Sequence, residues 1–469
     1  MDLDMSPDRL ATTPDQTRAG GPDVAGRRVL VVGLARTGLA AAEFLQGRGA
    51  RVTVTDMRSA EDLGQAVSTL AERGVRLELG GHREASFTEA DLIVVSPGVP
   101  LNIAPMQRAR DQGVPITGEM ELASRYLTIP MIAVTGTNGK TTTTSLIGDI
   151  LRASGRRVFV GGNIGNPLIG VLDGRETPDA VVVEVSSFQL DTAETLRPDV
   201  GVILNVTPDH LDRYPDFEAY VASKLRLLAR QGPRDKAVFN VDDPVLEAVR
   251  CPAAPLGFSR LKRVETGAFL EGGRIVLSEE GRMLGDLALA DLALTGAHNH
   301  ENVMAALLAA RAAGVDLETA CRAATAFKGL PHRVELVGEF NGVRWYDDSK
   351  GTNVGAVMKS LEGFDGPVIL IAGGLDKAGD FRALAPLVQS KVKRLVLIGQ
   401  AREKIAAALA GQTETVLADD MREAVVRSRE GARPGDVVLL SPACASFDMF
   451  KDYAERGRVF AALVREVAP

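Results

Sequence analysis

The stretch at residues 132–144, IAVTGTNGKTTTT, leaves the chain few folds to choose from. An apolar run over 129–134, broken only by Pro130, leads into Thr135-Gly136-Thr137-Asn138-Gly139-Lys140-Thr141. Leu146, Ile147, Ile150 and Leu151 then recur at helical spacing. Strand, glycine loop and helix in that order are the setting a phosphate-binding loop requires. The glycines let backbone N–H groups turn towards an anion, and the helix N-terminus adds partial positive charge. Lys140 is spaced to reach the β- and γ-phosphates of a nucleotide, and the Thr141 hydroxyl to hold Mg²⁺. Val134 stands where the full G-x-x-x-x-G-K-[ST] pattern has glycine. The competing reading is a flexible surface loop with a solvated lysine, but such a loop seldom sits between a buried strand and a helix. An ATP site is the expectation.

A chain of 469 residues exceeds what one hydrophobic core serves, and its length suggests about three domains. With 45% hydrophobic and 25% charged residues, large cores can form. A net charge of −7 argues against nucleic acid or an anionic membrane as the main partner, while a few lysines and arginines still suffice for a local anion site. Cys251, Cys321 and Cys444 lie far apart with no C-x-x-C pair, which suits a reducing compartment. The opening MDLDMSPDRL has neither a basic nor an apolar leader region, and no 18 apolar residues run together, so a soluble cytoplasmic protein without membrane insertion is expected.

Residues 1–25 are polar, rich in Pro, Asp, Thr and Gly, and without period; a disordered tail is expected there. The first domain is assigned to 26–118. Its opening, RRVLVVGLARTGLAAAEFLQGRGARVTVTDMR, reads as a strand (29–32), a glycine turn (33–38), a helix to about Gln46 and a second strand (52–55) ending at Asp56 and Arg58. Ala35 replaces the central glycine of G-x-G-x-x-G, which narrows the approach of a pyrophosphate and disfavours NAD. Some other nucleotide, or a purely structural Rossmann-like unit, remains open. A strand at 92–96 with the turn Pro97-Gly98-Val99-Pro100 supplies another C-terminal strand end, where open parallel sheets place ligands.

The second domain, 119–329, carries the phosphate loop and then GGNIGNP (161–167) after a short strand at 158–160. In AVVVEVSSFQL a strand at 181–185 embeds Glu184, and an acid within an apolar strand is costly unless paired or bound to metal. Mg²⁺ is favoured over a buried salt bridge. A strand at 202–204 ends in Asn205, Asp209, His210 and Asp212, and YVASKLRLL follows as a helix with Lys224. A lone histidine is more often structural than catalytic, but His210 sits beyond a strand end of the sheet that holds Lys140 and Glu184. Residues 262–294 read as a small antiparallel flap, and a polar loop over 298–302 caps a long apolar-faced helix. The third domain, 330–469, repeats strand, polar turn and helix: WYDDSKGTN, PVILIAGGLDKAGDF, RLVLIGQA and DVVLLSPACASFDMFKDYAERG. That alternation predicts a doubly wound sheet whose strand ends, each with a basic residue or hydroxyl, form a substrate face.

In order along the chain, TGTNGKTT, GGNIG, EVSSFQL, NVTPDHLDRY, SKLRLL, HNHEN, LPHR, DDSKGTN and SPACASFD resemble the Mur ligases of peptidoglycan synthesis. The resemblance runs from about Gly26 to the C-terminus, and nine blocks in register do not arise by chance. It implies an α/β protein of three domains: Rossmann-like N-terminal, central P-loop ATPase-like with a parallel sheet, and Rossmann-like C-terminal. The Rossmann-like start and the absence of D-N-P-R argue against the diamino-acid-adding branch. The closing block is similar to the branch that adds D-glutamate to UDP-MurNAc-L-Ala. The implied ligands are therefore ATP, two Mg²⁺ ions, the UDP-substrate and D-glutamate, all small molecules acting on a monomer.

By the same resemblance Gly136, Thr137, Asn138, Gly139, Lys140, Thr141, Thr142, Asn299, Asn302, Arg333 and Asp348 contact ATP. Thr141, Glu184, His210 and Lys224, the last carbamylated by CO₂, serve the metals, and Lys140, His210 and Lys224 act in catalysis. Thr37, Asp56, Arg58 and Asn163 meet the UDP-substrate. Lys350, Thr352, Lys377, Ser446 and Tyr453 form the D-glutamate pocket, although the family pattern has phenylalanine where Tyr453 stands.

The residues support such chemistry independently of the family. Carboxylate oxygen is a poor leaving group, so joining it to an amine needs activation. An acyl phosphate formed with ATP provides this, followed by amine attack through a tetrahedral intermediate. Lys140, Arg333, Lys350 and Lys377, with two Mg²⁺, are suited to gather the anions, each worth several kcal/mol in a water-poor site. Cys444 has no evident base partner and reads as structural. The rivals are an L-alanine-adding or folate-polyglutamylating relative, a non-catalytic ATP-binding regulator, and a P-loop kinase. The first domain speaks against the folate enzyme, the presence of Glu184, His210 and Lys224 against the regulator, and the lysine-bearing third domain against the kinase.

Overall fold

Three sheets take up the chain one after another. The computed structural model describes residues 21–468 apart from Arg175, Glu176, Asp212, Thr295, Asp365 and Ala378. The first sheet holds Arg28–Val32 (β1), Arg51–Asp56 (β2), Arg76–Leu79 (β3), Leu92–Val95 (β4) and Ile116–Gly118 (β5) in the order β3-β2-β1-β4-β5, all parallel. Runs such as RVLVV and LIVV are almost wholly apolar because helices cover both faces of the sheet.

The second sheet contains Met131–Thr135 (β6), Val158–Gly162 (β7), Ala180–Glu184 (β8), Val200–Ile203 (β9), Lys236–Asn240 (β10), Ala254–Ser259 (β11), Gly267–Glu271 (β12), Arg274–Glu279 (β13) and Arg282–Ala288 (β14). Its order is β14-β13-β12-β11-β10-β9-β6-β8-β7, so β6 lies between β8 and β9 where the strand order reverses. Open α/β sheets bind ligands at that point. The third sheet, Glu335–Phe340 (β15), Val343–Asp347 (β16), Val368–Gly373 (β17), Val392–Ile398 (β18), Glu414–Leu417 (β19) and Val437–Leu440 (β20), runs β15-β16-β20-β17-β18-β19. Only its β15–β16 pair is antiparallel.

Two expectations need correction. The stretch over 262–294 is no separate flap: β12 pairs in parallel with β11, and β13 and β14 fold back as a hairpin on the same sheet. Gly267, at φ 149, allows this, because a Cβ there would meet the Gly257 carbonyl oxygen at 1.8 Å. Of the segment assigned to a disordered tail, residues 1–20 lie outside the described residues, and the rest packs against the core. Val24 is buried, and the Tyr126 hydroxyl donates to the Pro22 carbonyl. Among the described residues no helix is long and apolar enough to cross a membrane. The three cysteines are free thiols.

Candidate active site

The register of the second sheet aligns the chemistry. Val134 pairs with Glu184 and Thr135 with Ile203, so the loop after β6 has the Glu184 carboxylate on one side and the polar end of β9 on the other. Gly136 (φ 147) and Gly139 (φ 86) take backbone conformations open to glycine, and the helix Lys140–Ala153 starts directly after Gly139. Asn205 fixes the loop: Asn138 N–H donates to its Oδ1 at 2.9 Å, and its Nδ2 donates back to the Asn138 carbonyl at 3.1 Å. Thr137 Oγ1 donates to the Thr207 carbonyl at 3.1 Å.

Lys140 Nζ donates to the Gly136 and Thr137 carbonyls, both at 2.9 Å. Lys224, 1% exposed at the C-terminal end of the helix Phe217–Leu225, donates to the same Gly136 carbonyl at 2.9 Å, its ammonium 4.5 Å from the centre of the Tyr220 ring. Burial, and next the neighbouring Lys140 cation, drive the Lys224 pKa well below that of an ordinary lysine. Lys140 is lowered as well, by burial first.

Glu184, 3% exposed, accepts from two neutral donors, Thr141 Oγ1 and Asn163 Nδ2, each at 2.7 Å. A buried carboxylate beside a hydroxyl, hydrogen-bonded by neutral groups and without a direct ion pair among the described residues, is a donor set suited to a hard cation such as Mg²⁺. His210, left-handed at φ 56, lies 4.9 Å ring to ring from Phe188 and 6.3 Å from Tyr220, and so joins Lys224 through an aromatic wall. Asp212 lies outside the described residues.

The third sheet reaches into this site through Arg333. Its Nη2 donates to Thr141 Oγ1 at 2.6 Å, across 192 residues of chain. The flanking His332 (φ 63) and Val334 (φ 50) are both left-handed, a costly state for a β-branched residue that here aims the arginine. His332 is anchored in turn by a 2.7 Å bond from Nδ1 to Asp347 Oδ2. A second bridge runs from Asn353 Nδ2 to Asp209 Oδ2 at 3.2 Å. Asp348 is buried, with Ser441 and Ser360 hydroxyls donating to its Oδ2 at 2.6 and 2.7 Å, and burial raises its pKa to about 6. Lys350 Nζ stands 3.7 Å from the centre of the Tyr453 ring. Burial, with Arg333, Lys140 and Lys377 nearby, brings it down to about 8 against the pull of Glu184.

The remaining candidates fall into place around these. Asn302 Oδ1 accepts from Thr143 Oγ1 at 3.3 Å and Asn302 Nδ2 donates to Asn299 Oδ1 at 3.4 Å, so the start of the helix Ala297–Ala312 abuts the segment that also carries buried Thr142. Ser446 is buried and Thr352 half-buried, at the ends of β20 and β16. Asp56 and Arg58 pair at the end of β2: Arg58 donates to both Asp56 oxygens and Leu34 N–H to Oδ2 at 2.7 Å. Burial favours the neutral acid, but these bonds hold the Asp56 carboxyl at about 2. Thr37 is half-buried in the first turn of the helix Arg36–Gly47. Asn163 stands apart from these three, on Glu184, although Arg36 reaches its loop by donating to the Gly165 carbonyl. Burial pushes the Cys444 thiol up to about 12, so it is no nucleophile.

Three family models match the chain: the Mur ligase MurD-like N-terminal domain over 27–118, the Mur ligase middle domain over 134–310 and the Mur ligase glutamate ligase domain over 332–444. The UDP-N-acetylmuramoylalanine–D-glutamate ligase of Geotalea uraniireducens is 50% identical over 448 residues, covering 95% of this chain and 98% of that one. The protein of the same name from Citrifermentans bemidjiense is 50% identical over 441 residues, covering 94% and 97%. The chain belongs to the Mur ligase family. Among solved structures, a pseudomurein peptide ligase type C from Methanothermus fervidus superposes with a TM-score of 0.62 at 20% identity, over 94% of this chain and 100% of that one. The UDP-N-acetylmuramate-alanine ligase of Thermotoga maritima gives 0.59 at 19%, over 94% and 99%. Both share the Mur ligase fold.

Several residues around this candidate site escape the sequence reading. Tyr220 and the Asp209–Asn353 bridge join groups far apart in the chain. Glu119 is another: it is buried between the first two sheets, its Oε1 accepts from Ile169 N–H at 2.6 Å, and burial raises it to about 7. It lines a cleft with Ser96, Pro97, Gln189, Thr192 and Arg213. The one available signal was an acid next to Gly118, at a strand end.

Proposed function

We propose that this Mur ligase joins D-glutamate to the L-alanyl carboxylate of UDP-MurNAc-L-Ala, with conversion of ATP to ADP and phosphate, as a step of peptidoglycan precursor synthesis. The observation that carries this is the row of half-buried cations from Lys140 through Arg333 to Lys350. Arg333 bonds the phosphate loop at Thr141, and Lys350 is perturbed by both Arg333 and Lys140. A nucleotide triphosphate, a carboxylate acceptor and a dicarboxylic amino acid must meet within a few ångströms, and such a row gathers them.

In this reading the 136–142 loop, Asn299, Asn302, Arg333 and Asp348 hold ATP. Thr141, Glu184, His210 and Lys224 hold two Mg²⁺, Lys224 as its carbamate. The metal, when bound, neutralises phosphate charge and polarises the transferring group. Thr37, Asp56 and Arg58 take the uracil nucleotide at the end of the first sheet. Asn163, already beside Glu184, turns the acceptor end of that substrate towards the phosphate loop. Lys350, Thr352, Lys377, Ser446 and Tyr453 take D-glutamate, with Lys350 and Lys377 matched to its two carboxylates. In the same reading it acts on small molecules as a monomer in the cytoplasm, and the net charge of −7 argues against nucleic acid as the main partner.

Phosphate release from ATP in the presence of UDP-MurNAc-L-Ala tests the assignment. D-glutamate stimulates it, and L-glutamate and L-alanine do not; equal turnover with L-alanine refutes the choice of amino acid.

A further inference from the structure

Arg456, on the helix Tyr453–Val467, is 1% exposed and makes no ion pair among the described residues. Its Nε donates to Ser349 Oγ at 2.9 Å. Nη1 donates to the Cys444 and Ala445 carbonyls at 3.2 and 3.3 Å, and Nη2 to the Ser349 and Cys444 carbonyls at 2.8 and 3.2 Å. A guanidinium has five N–H donors, and here all five are engaged.

The acceptors belong to the segments that carry the proposed amino-acid pocket. Ser349 precedes Lys350 after β16, and its Oγ donates to the Tyr453 carbonyl at 2.7 Å. Cys444 and Ala445 precede Ser446 after β20. Ala445 exchanges 2.9 Å backbone hydrogen bonds with Leu375, which lies two residues before Lys377 after β17. Gly374 completes the fit, since a Cβ there would stand 3.2 Å from Arg456 Nη1.

We propose that Arg456 is the positioning residue that assembles the D-glutamate pocket, an inference that rests on the reading of that pocket given above. The β16–β20 and β20–β17 pairings bring these strand ends side by side. Beyond the last paired residues one rigid fork ties the Lys350 and Ser446 segments to the helix of Tyr453, and the Lys377 segment joins them through the Leu375–Ala445 bridge. With no donor left over, it acts on the substrate only through those segments. The planar guanidinium is required, because a lysine ammonium is a point donor and cannot span the two strand ends with five bonds. Burial lowers the Arg456 pKa to about 10, and the field of nearby Asp347, Asp348 and Asp448 keeps the cation in place.

Steady-state kinetics on the full chain test this, with D-glutamate, ATP and UDP-MurNAc-L-Ala varied in turn and thermal unfolding followed alongside. Arg456→Ala raises the D-glutamate KM by about 10- to 100-fold, as sub-ångström misplacement of binding groups does. The other two KM values stay within about twofold, and millimolar guanidinium chloride, but not sodium chloride, recovers part of the loss. If Arg456→Ala does not fold, Arg456→Lys carries the test: it raises the same KM by at least about fivefold at wild-type melting temperature. Lys350→Ala is the reference. If it raises the D-glutamate KM while a folded Arg456 variant does not, the positioning role is refuted and the pocket reading stands. An equal loss for all three substrates without guanidinium rescue also refutes it. If neither position moves the D-glutamate KM, the pocket reading falls and this inference with it.

Discussion

Replacing Lys140 with methionine is expected to weaken carbamate formation on Lys224 about 100-fold, a size set by the charge pair in the structure. Lys140 and Lys224 each hold Nζ 2.9 Å from the Gly136 carbonyl oxygen, so the two nitrogens are at most about 5.8 Å apart, twice that distance. At an effective dielectric of about 20, two like charges so placed repel by about 3 kcal/mol. Burial and that repulsion favour the neutral Lys224 amine, the form that attacks CO₂. A nitrogen–carbon bond forms, a proton leaves to solvent, and an anion now faces Lys140. The same separation makes this an attraction of about 3 kcal/mol, two powers of ten in the equilibrium constant. The readout is the carbamate NMR resonance titrated with isotopically labelled bicarbonate, since activity would confound the phosphate contacts of Lys140. In parallel, CO₂-depleted wild type regains activity with bicarbonate, and nearly inactive Lys224→Ala is partly rescued by small carboxylates. Equal bicarbonate midpoints in wild type and Lys140→Met, or no carbamate resonance in wild type, refute the reasoning.

Three more outcomes are expected. Lys140→Ala lowers kcat by about 10²–10³-fold with the melting temperature retained, since it removes an electrostatic donor from a loop; more than about a tenth of wild-type kcat excludes the loop as the ATP site. Asp56→Ala and Arg58→Ala raise the KM for the UDP-substrate and leave that for ATP unchanged; the reverse pattern would mean that the two nucleotide sites are exchanged. Asp348→Asn abolishes turnover but stabilises the fold at pH 8 by up to about 3 kcal/mol, because the buried carboxyl at about 6 prefers its neutral form in the folded state. For an acid with a raised folded pKa, stability is highest when protonated and is lost as pH rises through about 6, so the gain disappears below about pH 4. A lower melting temperature for Asp348→Asn at pH 8 contradicts this.

What the sequence revealed about the site follows from what local pattern encodes. The phosphate loop was legible because strand, glycines and helix are contiguous, and Glu184 because an acid is conspicuous among valines. The antiparallel strands over 262–294 were legible too, but not their joining to the second sheet, because that rests on a close backbone approach at Gly267 that carries no side-chain signal. Val24 looked like tail because its partners lie elsewhere in the chain. Arg456 sits in a helix of mixed charge, YAERGRVFAALVREV, where it reads as one more solvated arginine. Its burial is decided by Gly374 and by carbonyls after β16 and β20, which only the assembled sheet brings together. Asp209 and Asn353, 144 residues apart, illustrate the same limit.

A common feature links the residues that local pattern revealed with those it hid. Among the described residues, Lys140, Lys224, Arg333, Lys350 and Arg456 make no ion pair, and their partners are carbonyls, hydroxyls or a ring face. Exposed cations of the same chain, such as Arg28 on Asp91 or Arg157 on Asp179, do take carboxylate partners. A buried cation paired with a carboxylate would have to break that pair before meeting a phosphate, losing about what it gains. One held by neutral acceptors exchanges weaker hydrogen bonds for charge-assisted ones, so the arriving anion keeps most of its electrostatic energy. The unpaired cations lower the stability of the fold, as the depressed pKa of each shows. Glu184 follows the same rule with opposite sign, its neutral donors leaving the carboxylate ready for a metal. Around the phosphate loop and the amino-acid pocket, absence of an ion pair therefore marks the residues that wait for ligands, unlike the paired Asp56 and Arg58 of the first sheet, and Arg456, whose five donors are all engaged, is the member of the set that instead holds the fold.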